Sequence, residues 1–428
     1  MKLLIKNGRI IDPSQNLDKV MDLLLADGKV AKLAEHITDA ADETYDASGK
    51  VVAPGFIDMH THMREPGLEA KESIRTGTIA AGGITTIACM PNTKPAVSNS
   101  IVVTGIKARA AEEGYANVEV IGSISKDQKG TELAEMGDML EKGAVAFSDD
   151  GHYVDSSRLL LNAARYISNF GAPLISHSIE SELNADGYMH EGAVSAKIGV
   201  PGVPSVAEDI AVARDTLIAG YTGAHIHIAH VASKGAVDII RDAKAKGYPV
   251  TAEVTVHHLT LTDEACAGYS TATRVSPPLR SRDHVEGMRA GLKDGTIDII
   301  VTDHAPHAPE EKDVEFRKAP NGFCGLETSV GVILTELYHT GFLTINEIVD
   351  KMSCKPAEIF RLKGGKLIVG APADVTILDL EQEWIVDNTK FYTTGKVSPF
   401  NGKKCKGKAV AAVLAGKLVM RDGVVLER

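Results

Sequence analysis

From about residue 55 to about residue 360 the chain repeats one pattern: a short apolar run, then a longer stretch whose apolar positions recur at helical spacing. The runs are Phe56 to His62, Ile84 to Met90, Val118 to Ser123, Ala144 to Ser148, Pro173 to His177, Ala224 to His230, Pro249 to Val254, and Ile297 to Thr302. Apolar β-like runs alternating with helical stretches are the pattern of βα units around a parallel sheet. Eight such runs predict a (β/α)8 barrel, whose chemistry gathers at the C-terminal ends of its strands. A doubly wound open sheet is the alternative, but the chain carries neither GxGxxG nor a phosphate-binding P-loop.

Both ends read differently. Leu3-Leu4-Ile5, a turn at Asn7-Gly8, Arg9-Ile10-Ile11, Leu23-Leu24-Leu25 and a turn at Asp27-Gly28 open the chain. Ala373 to Leu378, Val410 to Leu414 and Lys417-Leu418-Val419 close it, with glycine at the turns. The expectation is one small β domain assembled from residues 1–54 and 362–428, flanking a barrel domain at 55–361.

The polar residues that interrupt this pattern carry the chemistry. In Asp58-Met59-His60-Thr61-His62 the two imidazoles stand two apart on a strand and face the same way, with Asp58 on that face beneath them. Asp150, His177, His230 and Asp303 fall at the ends of later runs, where a barrel gathers them across its mouth. A strand-end aspartate often caps the next helix, but four histidines and two aspartates at strand ends are hard to explain by packing. Histidine with carboxylate suits zinc, with manganese, cobalt or iron as other occupants. Six ligands exceed one catalytic ion's needs, so two metals bridged by a carboxylate are expected, and metal-assisted hydrolysis is the implied chemistry. Alternation puts His225 and His227 opposite His230, toward the helices. It cannot choose between Asp149 and Asp150.

The 428 residues carry a formal charge of -11, which argues against nucleic-acid and membrane-surface partners. Five cysteines without CxxC spacing read as reduced thiols, and the start is too polar for a signal peptide. No segment is long and apolar enough to span a membrane, so a cytoplasmic protein is expected.

Asp58 to Arg64, Met90-Pro91-Asn92-Thr93, Phe147 to Gly151, Glu253 to Leu259, Asp303-His304-Ala305-Pro306-His307 and Gly325-Leu326-Glu327-Thr328 resemble the amidohydrolase superfamily, and within it the bacterial type I dihydroorotases. The resemblance runs nearly end to end. It implies that His60, His62 and Asp303 hold one zinc ion, that His177 and His230 hold a second, and that Asp150 bridges them. Hydantoinases and allantoinases use a carboxylated lysine as the bridge; here the nearest lysine, Lys142, precedes the fourth run. The substrate contacts implied are His62, Arg64, Asn92, His307, Asn321 and Gly322. Ser276 stands where the family usually has asparagine, and its shorter side chain calls for a water to bridge the gap.

The implied reaction is the reversible hydrolysis of (S)-dihydroorotate to N-carbamoyl-L-aspartate in pyrimidine synthesis. A hydroxide shared by the two metals would attack, with Asp303 as general base and then acid. Arg64 would clamp the substrate carboxylate, and Asp58 is a candidate orienter of a ligand. The rivals are a hydantoinase- or allantoinase-type cyclic amidase and a catalytically silent scaffold homologue. A homodimer and a complex with aspartate transcarbamoylase are candidate assemblies that the sequence does not decide. Nor does it decide whether the stretch 304–323 is a mobile lid or a static loop.

Overall fold

The computed structural model describes residues 1–427. The chain begins with β1 (Lys2–Asp12), β2 (Leu17–Ala26), β3 (Lys29–Ala34), β4 (Glu43–Asp46) and β5 (Val51–Pro54). Asp27 and Gly28, with φ of 51° and 75°, form the left-handed two-residue turn between β2 and β3. The turn expected at Asn7-Gly8 is instead a bulge inside one continuous strand: the β1–β2 register shifts between Ile5 and Gly8, and Asn7 has φ 61°. A bulge and a turn share the same residue types because both need a left-handed backbone.

Eight parallel strands follow: β6 (Phe56–Thr61), β7 (Ile84–Cys89), β8 (Asn117–Gly122), β9 (Ala144–Ser148), β10 (Leu174–Ser176), then, after the small pair β11 (Met189–His190) and β12 (Gly202–Val203), β13 (Ile226–Ile228), β14 (Val250–Thr255) and β15 (Ile299–Val301). They lie in one sheet ordered β15-β14-β13-β10-β9-β8-β7-β6, wrapped so that β15 returns against β6. Ile57, Met59, Ala88, Ile121, Ile175, Ala229, Ile299 and Val301 fill the interior with Phe360. The opposite faces, among them Ile87, Val118, Leu174, Ile226, Ile228 and Ile300, join the larger core beneath the helices. Burial on both faces is why these strands read as continuous apolar runs.

The end of the chain, β16 (Val375–Ile385), β17 (Lys404–Leu414), β18 (Lys417–Arg421) and β19 (Val424–Val425), joins the opening strands in the order β19-β18-β17-β16-β5-β1-β2-β3, with β4 beside β1. β5 pairs with β16 and leads directly into β6, which fixes the sheet to the barrel. Among the described residues no helix is long and apolar enough to cross a membrane.

Candidate active site

The site begins at the barrel's seam. Asp58 Oδ1 accepts from the His60 and Thr302 amides at 3.1 and 3.2 Å, and Oδ2 accepts from the Thr302 hydroxyl at 2.5 Å. The His62 amide donates to His304 O at 2.8 Å. Asp58 therefore stitches β6 to β15 and holds the backbone of His60, rather than orienting an imidazole. Burial pushes its carboxyl up to about 7 against those hydrogen bonds. One residue is inserted between Asp58 and Thr61 relative to β7, and this bulge turns the β6 end toward the mouth. Arg64, His230 and Asp303 have φ of 61°, 32° and 49°. Three left-handed non-glycine residues at strand ends that face one cavity are the strain expected of a functional site.

Six side chains converge there, all buried. His60 and His62 present Nε2 to Asp150 at 3.3 Å each, and to Asp303 Oδ1 at 3.6 and 3.2 Å. His177 Nδ1 and His230 Nε2 lie 3.4 and 3.5 Å from Asp150 Oδ1. Donor atoms about 2.1 Å from a tetrahedral ion sit ~3.4 Å apart, so these separations suit a coordination polyhedron. His177 Nδ1 and His230 Nε2, 2.7 Å apart and hydrogen-bonded, must part by a few tenths of an ångström to share an ion. The groups able to hold a cation are His60, His62 and Asp150, and Asp150, His177 and His230, so Asp150 belongs to both. Asp303 stands against the first trio.

The outer hydrogen bonds fix which atoms face inward. His60 Nδ1 is 2.5 Å from Glu253 Oε1, and His62 Nδ1 is 2.8 Å from Asn92 Oδ1. With Nδ1–H donated outward, Nε2 is left to face the carboxylates. His60 Nε2 and Asp150 Oδ1 are buried without any hydrogen-bond partner, as metal ligands should be. Burial works to raise the Asp150 carboxyl, but the charge of His60 and the close imidazoles of His177 and His230 hold it well below the carboxylate range. For Asp303 burial is likewise outweighed, by the His62 hydrogen bond and the charges of His60 and His62. Both stay ionised.

These groups line a cavity of about 300 Å³ with Arg64, Asn92, Gly151, Asn184, Ser276, Ala305, His307, Asn321 and Gly322. Arg64 is buried; its Nε donates to Pro306 O at 3.1 Å, and Nη2 lies 3.5 Å from His307 Nε2. Among the described residues no carboxylate forms an ion pair with it. His307 donates Nε2–H to Asn321 O at 2.7 Å, and burial followed by the Arg64 charge pushes its imidazole down to about 3.

The structure settles what alternation left open. Asp149 turns away and accepts from the Ile124 and Ser125 amides at 2.9 and 3.0 Å, which leaves Asp150 in the mouth. Lys142 is exposed and precedes β9, far along the strand from Asp150. One expectation fails: His225 and His227 do not face the helices. Both reach Thr251 Oγ1 at 2.7 Å, and His227 also reaches Glu253 Oε2 at 3.1 Å and packs on Phe360. They share the interior face with Ala229, and His230 reaches the mouth only because its left-handed φ swings it out of alternation.

Glu253 is one of two residues supporting the site that sequence reasoning missed. It is fully buried and takes His60, His227 and the His230 amide, and these charges and hydrogen bonds overcome burial to hold its carboxyl down to about 2. A glutamate inside an apolar strand was the signal, since a buried carboxylate needs partners. Asp215 was missed too. It accepts from Ser176 and Ser178, at 2.5 and 3.0 Å, and so brackets His177.

Solved structures with this fold include L-hydantoinase (dihydropyrimidinase) from Arthrobacter aurescens, with TM-score 0.89 and 28% identity over 100% of this chain and 97% of that one. D-hydantoinase from a Thermus species follows at TM-score 0.84 and 25% identity, over 100% and 97%. With the histidine–aspartate cluster at the barrel mouth, they place the chain among the metal-dependent cyclic amidohydrolases. Sequence relatives narrow the class. The chain is 51% identical to a dihydroorotase of Pelotomaculum thermopropionicum over 99% of its own length and 100% of the relative's. It is 49% identical to one of Syntrophus aciditrophicus, over 99% and 100%. The family model described as "Dihydro-orotase-like" matches residues 49–236. The chain belongs to the dihydroorotase family.

Proposed function

We propose that this chain hydrolyses the ring amide of (S)-dihydroorotate to N-carbamoyl-L-aspartate and runs the reverse cyclisation, with Arg64 reading the substrate's carboxylate. The observation that carries this specificity is the buried Arg64 guanidinium, which among the described residues forms no ion pair with a carboxylate and shares the cavity with the histidine–aspartate cluster. An unpaired buried cation is costly, and a substrate carboxylate is the natural partner to complete it. Hydantoin and allantoin carry no such group.

His60, His62 and Asp303 would hold one zinc ion, His177 and His230 a second, and Asp150 both. When bound, the ions supply Lewis-acid polarisation and an acidified water. The chain's own groups do the rest. Arg64 binds the carboxylate, the Asn92 amide group and the Asn321–Gly322 backbone add contacts, and Ser276 and His307 complete the wall. Asp303, held ionised, accepts the attacking water's proton on its carboxylate and returns it to the departing ring nitrogen, so one group serves both directions. Glu253 and Asn92 keep His60 and His62 in one tautomer.

Replacing Arg64 with methionine tests the reading. The loss of charge-assisted hydrogen bonds, ~1.5–3 kcal/mol, should raise KM for dihydroorotate roughly 10- to 100-fold with bound metal unchanged. An unchanged KM would remove Arg64 from substrate recognition.

A further inference from the structure

Where the terminal sheet meets the barrel helices there is a second cavity, of about 360 Å³, somewhat larger than the active-site cavity. Its walls are mainly apolar. Ile79 comes from the helix Ile74–Ala80, Val330 from the helix Leu326–Ile333, Trp384 from the end of β16, Phe391 from the connection between β16 and β17, and Met420 from β18. The indole of Trp384 is a fixed wall: its Nε1 donates to Gly407 O at 3.0 Å, and Gly331 lets the helix close on it, since a Cβ there would fall 2.5 Å from Cζ2. A concave, mostly apolar cavity of this size with a few charged groups at its edge is the usual form of a small-molecule site.

The charged groups select the ligand. Glu327, Asp387, Lys390 and Lys408 line the cavity. Each Glu327 oxygen accepts an amide, from Tyr392 at 2.8 Å and from Thr393 at 3.3 Å. Asp387 and Lys390 pair with each other at 3.2 Å. Lys408 is left over: it is half-buried, and among the described residues no carboxylate forms an ion pair with it. Lys406, two residues earlier on β17, does meet an acid, Glu381, at 2.7 Å. The unmatched charge therefore belongs to the strand position that faces the cavity. Lys408 Nζ also stands 5.1 Å from the centre of the Trp384 ring, so the ammonium and the aromatic wall are neighbours. A flat ring bearing an anion would satisfy both at once, by a charge-assisted hydrogen bond and by aromatic packing.

We propose that this cavity is a second ligand site, for a one-ring aromatic carboxylate, with the carboxylate on Lys408 Nζ and the ring packed among Trp384, Phe391 and Tyr392. The site is independent of the reaction proposed above, because the two cavities share no lining residue.

Trp384 is the single tryptophan of the chain, so its fluorescence reports on this cavity alone. Titrating the full chain with 4-nitrobenzoate, a nitroarene that quenches indole emission, should give saturable quenching with a midpoint below about 1 mM. Lys408→Met should raise that midpoint roughly 10-fold, as the loss of a charge-assisted hydrogen bond does, and Lys406→Met should leave it in place. Uncharged 4-nitrobenzamide should bind the wild type as weakly as 4-nitrobenzoate binds Lys408→Met. That comparison needs no variant, and it decides the matter even if Lys408→Met folds poorly. Quenching that rises linearly without saturating, or equal midpoints for the benzoate and the benzamide, overturns the proposal. So does a loss of affinity as large in Lys406→Met as in Lys408→Met, which would make the effect one of general surface charge.

Discussion

Glu253 does more for the site than its place in the sequence advertises. Its Oε1 meets His60 Nδ1 and the His230 amide while Oε2 meets His227, so one carboxylate links both halves of the cluster. Such outer partners typically contribute 10–100-fold in metal affinity. Glu253→Gln should therefore weaken zinc retention by about that factor in competition with a chelator; unaltered retention would reduce Glu253 to a packing residue. The cluster was legible because four histidines and two aspartates at strand ends together are hard to explain by packing, although alternation alone could not choose Asp150 over Asp149. Glu253 and Asp215 were less so, because their roles depend on side chains brought from other strands. His227 was misread because alternation was counted back from His230, whose left-handed φ of 32° breaks it.

At the scale of elements, the segment 304–323 is anchored at Lys312 and Gly322. Lys312 Nζ donates to Pro320 O at 2.7 Å, Thr271 Oγ1 to Lys312 O at 2.7 Å, and the Gly322 amide to Arg274 O at 2.8 Å. Gly322 takes φ 115°, and a Cβ there would fall 2.6 Å from Ala305. Burial first, then the charge of Arg274, pushes the Lys312 ammonium down to about 7. Lys312 is a positioning residue for Asn321 and Gly322. Lys312→Met should raise KM for dihydroorotate roughly 10-fold, leave kcat near its original value and speed hydrogen exchange at Gly322. Equal exchange in both proteins would mean that other contacts hold the loop. The eight strands were legible because burial on both faces writes them as apolar runs. The loop was not, because its restraints are backbone carbonyls that carry no sequence signal. Asn7-Gly8 was read as a turn where it is a bulge for the same reason: the local conformation was evident, but the strand pairing around it was not.

For the molecule as a whole, the connection between β16 and β17 is fastened through a carboxylate that the sequence showed only as part of a motif. Glu327 accepts from the Tyr392 and Thr393 amides at 2.8 and 3.3 Å, and burial, against those bonds, pushes its carboxyl from 4.5 up to about 7. The folded protein thus holds this proton where the unfolded chain has lost it, so Glu327's contribution to stability falls as pH rises from about 4.5 to about 7 and is level above. Melting temperatures of the wild type relative to Glu327→Gln should decline across that interval; a constant difference would contradict the burial argument. The acidic total charge of -11 coexists with a cationic clamp because Arg64 acts at contact distance inside the barrel. The fold is shared with hydantoinases, so on the proposed reading substrate choice rests on Arg64. Turnover of dihydroorotate, hydantoin and allantoin by the metal-loaded protein, repeated after chelation, measures this most directly. Rapid hydrolysis of dihydroorotate alone, lost on chelation and regained with zinc, is the predicted result. Full metal loading with turnover of hydantoin or allantoin but not dihydroorotate would contradict it.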